Sequence, residues 1–185
     1  MEKQNSKFVV FLYEAVSTFV TAAIIIAILF TFFIRFIGVV GSSMNPTLAS
    51  GDWVILNQVG VDYQPNYGDI VVINNPGELD ENIIKRVIAT EGQTVNINFQ
   101  TGAVYIDGKK IVERYINNET TTSFDVTFPL TVPEGQCFVM GDNRQNSLDS
   151  RSTLVGCIDV DTIIGKAAFG ITDDGFVELD VRNYQ

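Results

Sequence analysis

Residues 15–34 read AVSTFVTAAIIIAILFTFFI, a run of twenty residues without a charge between Glu14 and Arg35. A helix of this length spans about 30 Å, the thickness of a bilayer core. The apolar region of a cleaved signal peptide is usually about 7–15 residues long, so this run favours a retained anchor. We predict a cytoplasmic N-terminus over 1–14, a transmembrane anchor over 15–36 and an extracytoplasmic domain over 37–185.

Basic residues near the anchor predict its orientation. Lys3, Lys7 and the N-terminal amine precede the apolar run, whereas Arg35 alone follows it closely. Positive charge is enriched on the cytoplasmic side of membrane helices. The sequence therefore predicts a single-pass protein of the cell membrane, with the lipid bilayer as a partner, the N-terminus inside and the remaining chain outside.

The chain after the anchor is acidic and contains no histidine. From Phe36 onward it has nine Lys and Arg against twenty Asp and Glu, a net charge of −11. Without a basic stripe, nucleic acid is not an expected partner. The absence of histidine excludes a Ser-His-Asp triad, a Cys-His dyad and most catalytic zinc sites. A nucleophilic serine would need a lysine or a carboxylate as its base, and we expect neither a metal nor another cofactor.

Two cysteines, Cys137 and Cys157, lie in apolar, strand-like contexts. Their spacing is not that of a metal site or a CxxC motif. We interpret them as small core residues, with an extracytoplasmic disulfide as the open alternative.

The sequence after the anchor is typical of short strands and turns. Asp107-Gly108 is a strong signal for a two-residue hairpin turn. No convincing amphipathic helix occurs, and the pattern predicts a mainly β class with one N-terminal transmembrane helix. The apolar or alternating segments are Asp52–Asn57, Asp69–Asn74, Ile83–Ala89, Thr94–Phe99, Ala103–Ile106, Lys109–Val112, Asp125–Phe128, Cys137–Met140 and Val155–Ile171.

A candidate nucleophile follows the anchor in Gly41-Ser42-Ser43-Met44-Asn45-Pro46-Thr47. Gly41 permits backbone angles that other residues avoid, and Pro46 fixes one angle and moves Asn45 away from helix. Ser43 is therefore expected at a rigid, exposed bend, as a nucleophilic hydroxyl requires. Such a cluster taken alone is more often an ordinary turn.

The candidate base lies in Ile83-Ile84-Lys85-Arg86-Val87-Ile88. Both faces of this strand are apolar, so alternation does not choose between Lys85 and Arg86. Side-chain chemistry favours Lys85 as the base, because arginine stays protonated whereas a desolvated lysine can lose its proton. The alternative is that Lys85 is an edge-strand lysine that discourages aggregation.

Residues 141–151 read GDNRQNSLDSR, with two acids and two arginines among hydroxyls and amides. Such a loop can be held by carboxylate–guanidinium pairs and hydrogen bonds to its backbone. We predict that Asp142, Arg144, Asp149 and Arg151 maintain geometry, and that the Ser147 hydroxyl is free to orient an amine.

These motifs together resemble those of a bacterial type I signal peptidase, of the single-anchor kind found in Gram-positive bacteria. The matching segments are, in the family's order, Ser43–Thr47, Gly51–Val54, Gly68–Val72, Lys85–Ile88 and Gly141–Arg151. The resemblance implies a β domain of two antiparallel sheets, the fold shared with repressor-type autoproteases. It also implies a serine endopeptidase that removes signal peptides from exported preproteins, its partners.

The resemblance assigns roles to the candidate residues. Ser43 would be the nucleophile, and Lys85 the general base that later protonates the leaving amine. Ser147 would hold the lysine amine, and Asp149 would pair with Arg151 to support the loop.

The resemblance gives Asp142 a supporting role as well. The oxyanion would bind the Ser43 backbone N–H and one further donor. Some relatives supply that donor as a serine hydroxyl, at the position that Gly41 occupies here.

Signal peptidases of this family cleave after small residues at the −1 and −3 positions. Val72 and Ile84, at matching motif positions, would line the pockets for those residues, and Ile37 and Val39 are further candidates. Short β-branched side chains projecting from strands suit such small pockets.

Two alternatives remain. A repressor-type autoprotease would have a DNA-binding N-terminal module and an internal Ala-Gly cleavage site, and this chain has neither. A non-catalytic membrane-anchored homologue could serve as a chaperone for secreted or pilus subunits. It would be expected to lack the serine or the lysine, whereas Ser43 and Lys85 are both present.

Overall fold

The structure, a computed structural model, describes residues 2–32, 34–58 and 63–179, which fall in two compact units, Met1–Arg35 and Phe36–Gln185. The first unit is helix α1, Glu2–Phe32. Its segment Val9–Ile28 is long and apolar enough to cross a membrane, and none of it is buried within the protein. The helix starts well before the predicted anchor because no glycine or proline interrupts the polar residues that precede the apolar run.

Twelve strands and one short 3₁₀ helix, Val160–Thr162, follow α1 among the described residues. The last residues of the predicted anchor, 34–36, lie in the first of these strands. The strands are β1 (Ile34–Gly38), β2 (Trp53–Gln58), β3 (Ile70–Ile73), β4 (Ile83–Thr90), β5 (Thr94–Asn98), β6 (Ala103–Ile106), β7 (Lys109–Lys110), β8 (Leu130–Thr131), β9 (Gln136–Met140), β10 (Ile158–Asp159), β11 (Ile163–Thr172) and β12 (Gly175–Glu178).

These strands form two sheets, with antiparallel pairing wherever a register is defined. The larger sheet has the order β1-β2-β11-β3-β4-β9-β10, with β12 paired to β11. The smaller sheet has the order β7-β6-β5-β8. The predicted mainly β class with an N-terminal helix is confirmed.

The Asp107-Gly108 turn joins β6 to β7 as predicted. Asp107 has φ 51° and Gly108 has φ 76°. Two consecutive positive φ angles are those of a type I′ turn, the turn that suits the twist of a two-residue hairpin.

The predicted strand Asp125–Phe128 is wrong, since those residues pair with no strand and pairing resumes only at β8. Pro129 follows Phe128 directly and has no N–H to donate to a ladder. The Asp125 carboxylate instead accepts hydrogen bonds from the backbone N–H and the hydroxyl of Thr153. This segment is therefore fixed by a loop contact.

The central strand β3 is buried on both faces. Ile70 and Val72 pack into one apolar cluster with Val54 and Leu56, whereas Val71 and Ile73 pack into another. This explains why its sequence is a continuous apolar run without alternation. A third cluster joins β4 and β9 to the smaller sheet, and contains Ile88, Ala89, Val95, Ile97, Val104, Ile106, Val132, Phe138 and Met140.

The two cysteines are free thiols that pack into different apolar clusters. Cys137 is buried among the residues of the second cluster, and half-buried Cys157 packs against the third. Burial raises the pKa of the Cys137 thiol to about 12 and that of Cys157 to about 11. Both thiols are therefore protonated and unreactive at neutral pH.

Candidate active site

Ser43 lies in a compact turn between β1 and β2. Gly41 enters the turn with φ 89°, in the left-handed region that glycine adopts without strain. Met44 and Leu48 bury their side chains in the first apolar cluster, and the Leu48 N–H donates to the Met44 carbonyl at 2.9 Å. These two buried side chains anchor the turn to the apolar cluster, while the Ser43 side chain stays partly accessible.

The Lys85 amine lies directly against the Ser43 hydroxyl. Its Nζ is 2.9 Å from Ser43 Oγ and donates to the Ile84 carbonyl at 3.1 Å. Ser43 and Lys85 are 42 residues apart in the sequence. They meet because β4 is a central strand of the larger sheet, and the turn that carries Ser43 packs over it.

Burial changes the acidity of Lys85, which is only 4% exposed. Desolvation lowers its pKa from 10.5 to about 8, although the charges of Asp149, Glu81 and Asp142 act in the opposite direction. An amine with this pKa is partly neutral at mildly alkaline pH. It can then accept a proton from a hydroxyl at hydrogen-bond distance, which is what a general base must do.

The backbone of the Ser43 turn is held by the loop of residues 141–151. The Asn143 backbone N–H donates to the Ser43 carbonyl at 2.9 Å, and its side-chain amide donates to the Ser42 carbonyl at 3.1 Å. The Asn146 amide donates to Ser42 Oγ at 2.8 Å. Neither asparagine was predicted from the sequence as a site residue, although both lie within the loop of residues 141–151.

Asp149 and Arg151 form a buried bidentate pair in this loop. Arg151 Nε lies 2.8 Å from Asp149 Oδ1, and Nη2 lies 2.9 Å from Oδ2. Asp149 Oδ2 also accepts the Gly141 N–H at 3.0 Å. Neither side chain has exposed surface, so the pair stabilises the loop as a buried contact.

Asp142 pairs with a different strand, outside its own loop. Its carboxylate receives Arg86 Nε at 2.8 Å and Nη2 at 2.7 Å, and the Thr47 hydroxyl donates to it at 2.5 Å. Arg86 also donates to the Gly68 carbonyl at 2.9 Å. This fully buried pair therefore links the Ser43 turn, the strand that carries Lys85 and the loop.

Glu113 and Tyr115 support this network and were missed by sequence analysis. Arg144 forms a fork with the Glu113 carboxylate, at 2.5 Å and 3.1 Å, and also donates to the Gly141 carbonyl. Tyr115 lies under Arg86, with 4.1 Å between the guanidinium carbon and the ring centroid, and donates to Glu113. No periodicity or turn motif marks these residues, since their importance depends on contacts with distant arginines.

Ser147 is buried beside Gly141, but its hydroxyl does not contact the lysine amine through a hydrogen bond. Within the described chain, Ser147 Oγ has no hydrogen-bond partner. A Cβ at Gly141 would lie 2.3 Å from Ser147 Oγ and 2.4 Å from the Ser43 carbonyl oxygen. Position 141 therefore has room for glycine only.

An apolar groove of about 330 Å³ runs beside Ser43 and Lys85. All four residues predicted to contact substrate line it: Ile37, Val39, Val72 and Ile84. Val39 and Val72 are buried, whereas Ile37 and Ile84 are half-buried. The groove thus presents short apolar side chains immediately beside the nucleophile, and can accept an extended peptide with small side chains.

Comparisons with known proteins identify the family of this chain. The family described as signal peptidase, peptidase S26, matches residues 12–172. Signal peptidase I T of Bacillus subtilis strain 168 is 41% identical over 162 residues, which are 80% of this chain and 81% of that protein. The probable signal peptidase I-1 of Synechocystis is 39% identical over 158 residues, which are 80% of this chain and 76% of that protein. A solved signal peptidase I structure from Enterococcus faecalis V583 is 30% identical, covers 56% of this chain and 97% of that chain, and has a TM-score of 0.48.

Proposed function

Since the chain belongs to the signal peptidase family, peptidase S26, and is a serine endopeptidase, we propose that it removes signal peptides from exported preproteins through a dyad of Ser43 and Lys85. The observation that carries this proposal is the 2.9 Å distance between Lys85 Nζ and Ser43 Oγ. The lowered pKa of Lys85 supports it, because a base must be neutral to accept a proton.

The acylation half of the reaction follows from this geometry. Neutral Lys85 takes the hydroxyl proton as Ser43 Oγ attacks the scissile carbonyl, and the carbonyl oxygen becomes an oxyanion that accepts the Ser43 backbone N–H. The Lys85 ammonium then gives its proton to the leaving amine as the peptide bond breaks. The mature protein departs, and the signal peptide remains as an ester on Ser43.

Deacylation uses the same pair, with a water molecule as the nucleophile and Ser43 as the leaving group. Neutral Lys85 takes a proton from a water molecule, and the water oxygen attacks the ester carbonyl. The Ser43 oxygen leaves and recovers its proton from Lys85, so the signal peptide is released as a carboxylic acid and the enzyme returns to its initial state.

The buried ion pairs keep the dyad in position. Asp142 with Arg86 connects the Ser43 turn to the strand of Lys85, and Asp149 with Arg151 supports the loop that covers them. We assign Ser147 the role of orienting the Lys85 amine in the substrate complex, because its buried hydroxyl is free to form that bond.

The lining of the groove supports cleavage after small residues, as in an Ala-x-Ala sequence. Val72 and Ile84 would limit the size of the side chains at −1 and −3, with Ile37 and Val39 completing the walls. Substrates with bulky residues at these positions would not bring the scissile carbonyl to Ser43.

The N-terminal helix supports anchoring in the cell membrane, with the catalytic domain outside the cytoplasm. Val9–Ile28 is sufficient in length and composition to span a bilayer, and Lys3 and Lys7 precede it. Protease added to intact protoplasts should digest the catalytic domain. Protection of that domain would contradict this orientation.

The proposed dyad is tested with detergent-solubilised protein and a preprotein that carries Ala-x-Ala before its cleavage site. Ser43→Ala and Lys85→Arg should each abolish measurable cleavage, since removal of a general base typically costs about 10²–10⁴ in rate and arginine cannot accept the proton. The matched controls are Ser50→Ala and Lys166→Arg, at exposed and half-exposed positions outside the groove.

Circular dichroism should show that all four variants are folded. Near-wild-type cleavage by folded Lys85→Arg would refute the dyad. A wild-type protein that binds preproteins or pilus subunits without cleaving them would instead favour a chaperone function.

A further inference from the structure

The groove beside Ser43 contains one acidic side chain. Of the described residues that line it, only Glu81 and Lys85 are charged. Lys85 is buried at the nucleophile, whereas Glu81 is exposed at the groove wall. The ion pairs of the described chain involve other acids, Asp142, Glu113, Asp149 and Asp69. Glu81 takes part in none of these ion pairs.

In the sequence, Glu81 and Lys85 lie on opposite sides of Ile84. Glu81 precedes β4 by two residues and Lys85 by four. An extended chain advances about 3.3 Å per residue, so the Cα atoms of Glu81 and Lys85 are at most about 13 Å apart. A peptide bound in an extended conformation covers the same distance with about four residues.

We propose that Glu81 is a specificity-determining residue that favours a basic residue, and disfavours an acidic one, at positions −4 to −6 of the signal peptide. The inference rests on the proposed function, in which the walls formed by Val72 and Ile84 accept the residues at −1 and −3. Ile84 and Glu81 line the same groove, so an extended peptide whose −3 residue packs against Ile84 would bring its preceding residues beside this carboxylate.

The electrostatic environment of Lys85 shows that the Glu81 carboxylate is close enough to affect the active site. The charges of Asp149, Glu81 and Asp142 raise the pKa of the Lys85 amine, against the lowering effects of burial and of Arg151. Removal of the Glu81 charge should therefore lower this pKa further. The acidic limb of the pH–rate profile of Glu81→Gln should shift to lower pH, which a merely structural role would not produce.

The substrate preference is measured with full-length protein in detergent. Three preproteins differ only by Lys, Gln or Glu at −4, and two further sets carry the same changes at −5 and −6. An exposed charge pair changes affinity severalfold, and the comparison of Lys with Glu combines attraction and repulsion. We expect about a fivefold preference in kcat/KM for Lys over Glu at one or more of these positions.

The preference should arise mainly in KM, because Glu81 does not touch the reacting atoms. It should decrease strongly in 1 M salt, where the screening length falls to about 3 Å.

Variants identify the side chain responsible. Glu81→Gln should bring the Lys-to-Glu ratio close to one, and Glu81→Lys should invert it. Glu78→Gln is the matched control, since Glu78 is an exposed acid of the same loop that does not line the groove. It should retain the wild-type ratio.

Equal cleavage of the Lys and Glu substrates by the wild-type protein at all three positions would overturn the inference, as would a ratio that persists in Glu81→Gln. Failure to cleave any preprotein would overturn the proposed function, and this inference with it. The Gln substrates distinguish the two failures, because they are still cleaved if only the charge preference is absent and are not cleaved if the proposed function is wrong.

Discussion

Replacement of Lys85 by methionine should abolish cleavage and at the same time stabilise the fold at neutral pH. Lys85 is 4% exposed, and its pKa falls from 10.5 to about 8 on burial. A lowered lysine pKa means that the folded state disfavours the charged amine. At pH 7, below both values, the amine is charged in both states, and the folded protein bears the full cost of the buried charge.

The magnitude follows from the difference in pKa between the two states. One pKa unit corresponds to about 1.36 kcal/mol, so the lowered pKa costs about 3 kcal/mol at pH 7. As the pH rises from 8 to 10.5, the folded protein loses this proton before the unfolded chain does. The cost therefore decreases to about 1 kcal/mol near pH 10 and vanishes above the unfolded value.

Urea unfolding followed by circular dichroism tests this prediction in detergent at pH 7 and at pH 10. Relative to wild type, Lys85→Met should gain about 2 kcal/mol more in unfolding free energy at pH 7 than at pH 10. Loss of the hydrogen bonds to Ser43 and Ile84 changes the unfolding free energy at both pH values, and this contribution largely cancels in the comparison.

Lys85→Arg is the internal control, because arginine stays charged throughout this pH range. It should be close to wild type in stability at pH 7 and less stable than wild type at pH 10. A stability difference between Lys85→Met and wild type that is the same at both pH values would show that the pKa of Lys85 is not lowered by burial.

Three further predictions concern the same network. The kcat/KM for preprotein cleavage should rise about tenfold from pH 7 to pH 9, because a base with a pKa near 8 passes from about one tenth to about nine tenths neutral; a decline over this range would indicate a carboxylate base. Gly141→Ala should lower cleavage at least about 100-fold, since the new methyl group would lie 2.3 Å from Ser147 Oγ, and a cleavage time course with near-wild-type rates would contradict this. Arg86→Lys should lower the unfolding free energy by about 3 kcal/mol, because lysine cannot make the bidentate pair with Asp142; the exposed control Arg114→Lys should have little effect in the same urea titration.

Much of the architecture could be predicted from local sequence patterns. The uncharged run of residues 15–34 predicted the N-terminal helix, because the number of apolar residues that a helix needs to span a bilayer can be counted along the sequence. The Asp107-Gly108 pair predicted the hairpin, since positive φ angles depend on residue type. The prediction of a strand at Asp125–Phe128 was wrong, because a residue pattern does not reveal the hydrogen bond that Asp125 accepts from Thr153 in a distant loop.

The chemical types of the residues at the site follow from the sequence without the fold. The absence of histidine and the inability of arginine to lose a proton restricted the base of Ser43 to a lysine or a carboxylate, and favoured Lys85 over the neighbouring Arg86. Residue chemistry does not depend on folding, and these conclusions therefore needed no coordinates.

The partners of most charged groups at the site became clear from the folded chain. Asp142 was expected to support its own loop, but its partner is Arg86, 56 residues away. No sequence pattern marked Glu113 or Tyr115, yet Glu113 pairs with Arg144 and the Tyr115 ring packs against Arg86. The physical reason is that ion pairing and desolvation depend on distance and burial in three dimensions, and antiparallel pairing of distant strands sets both.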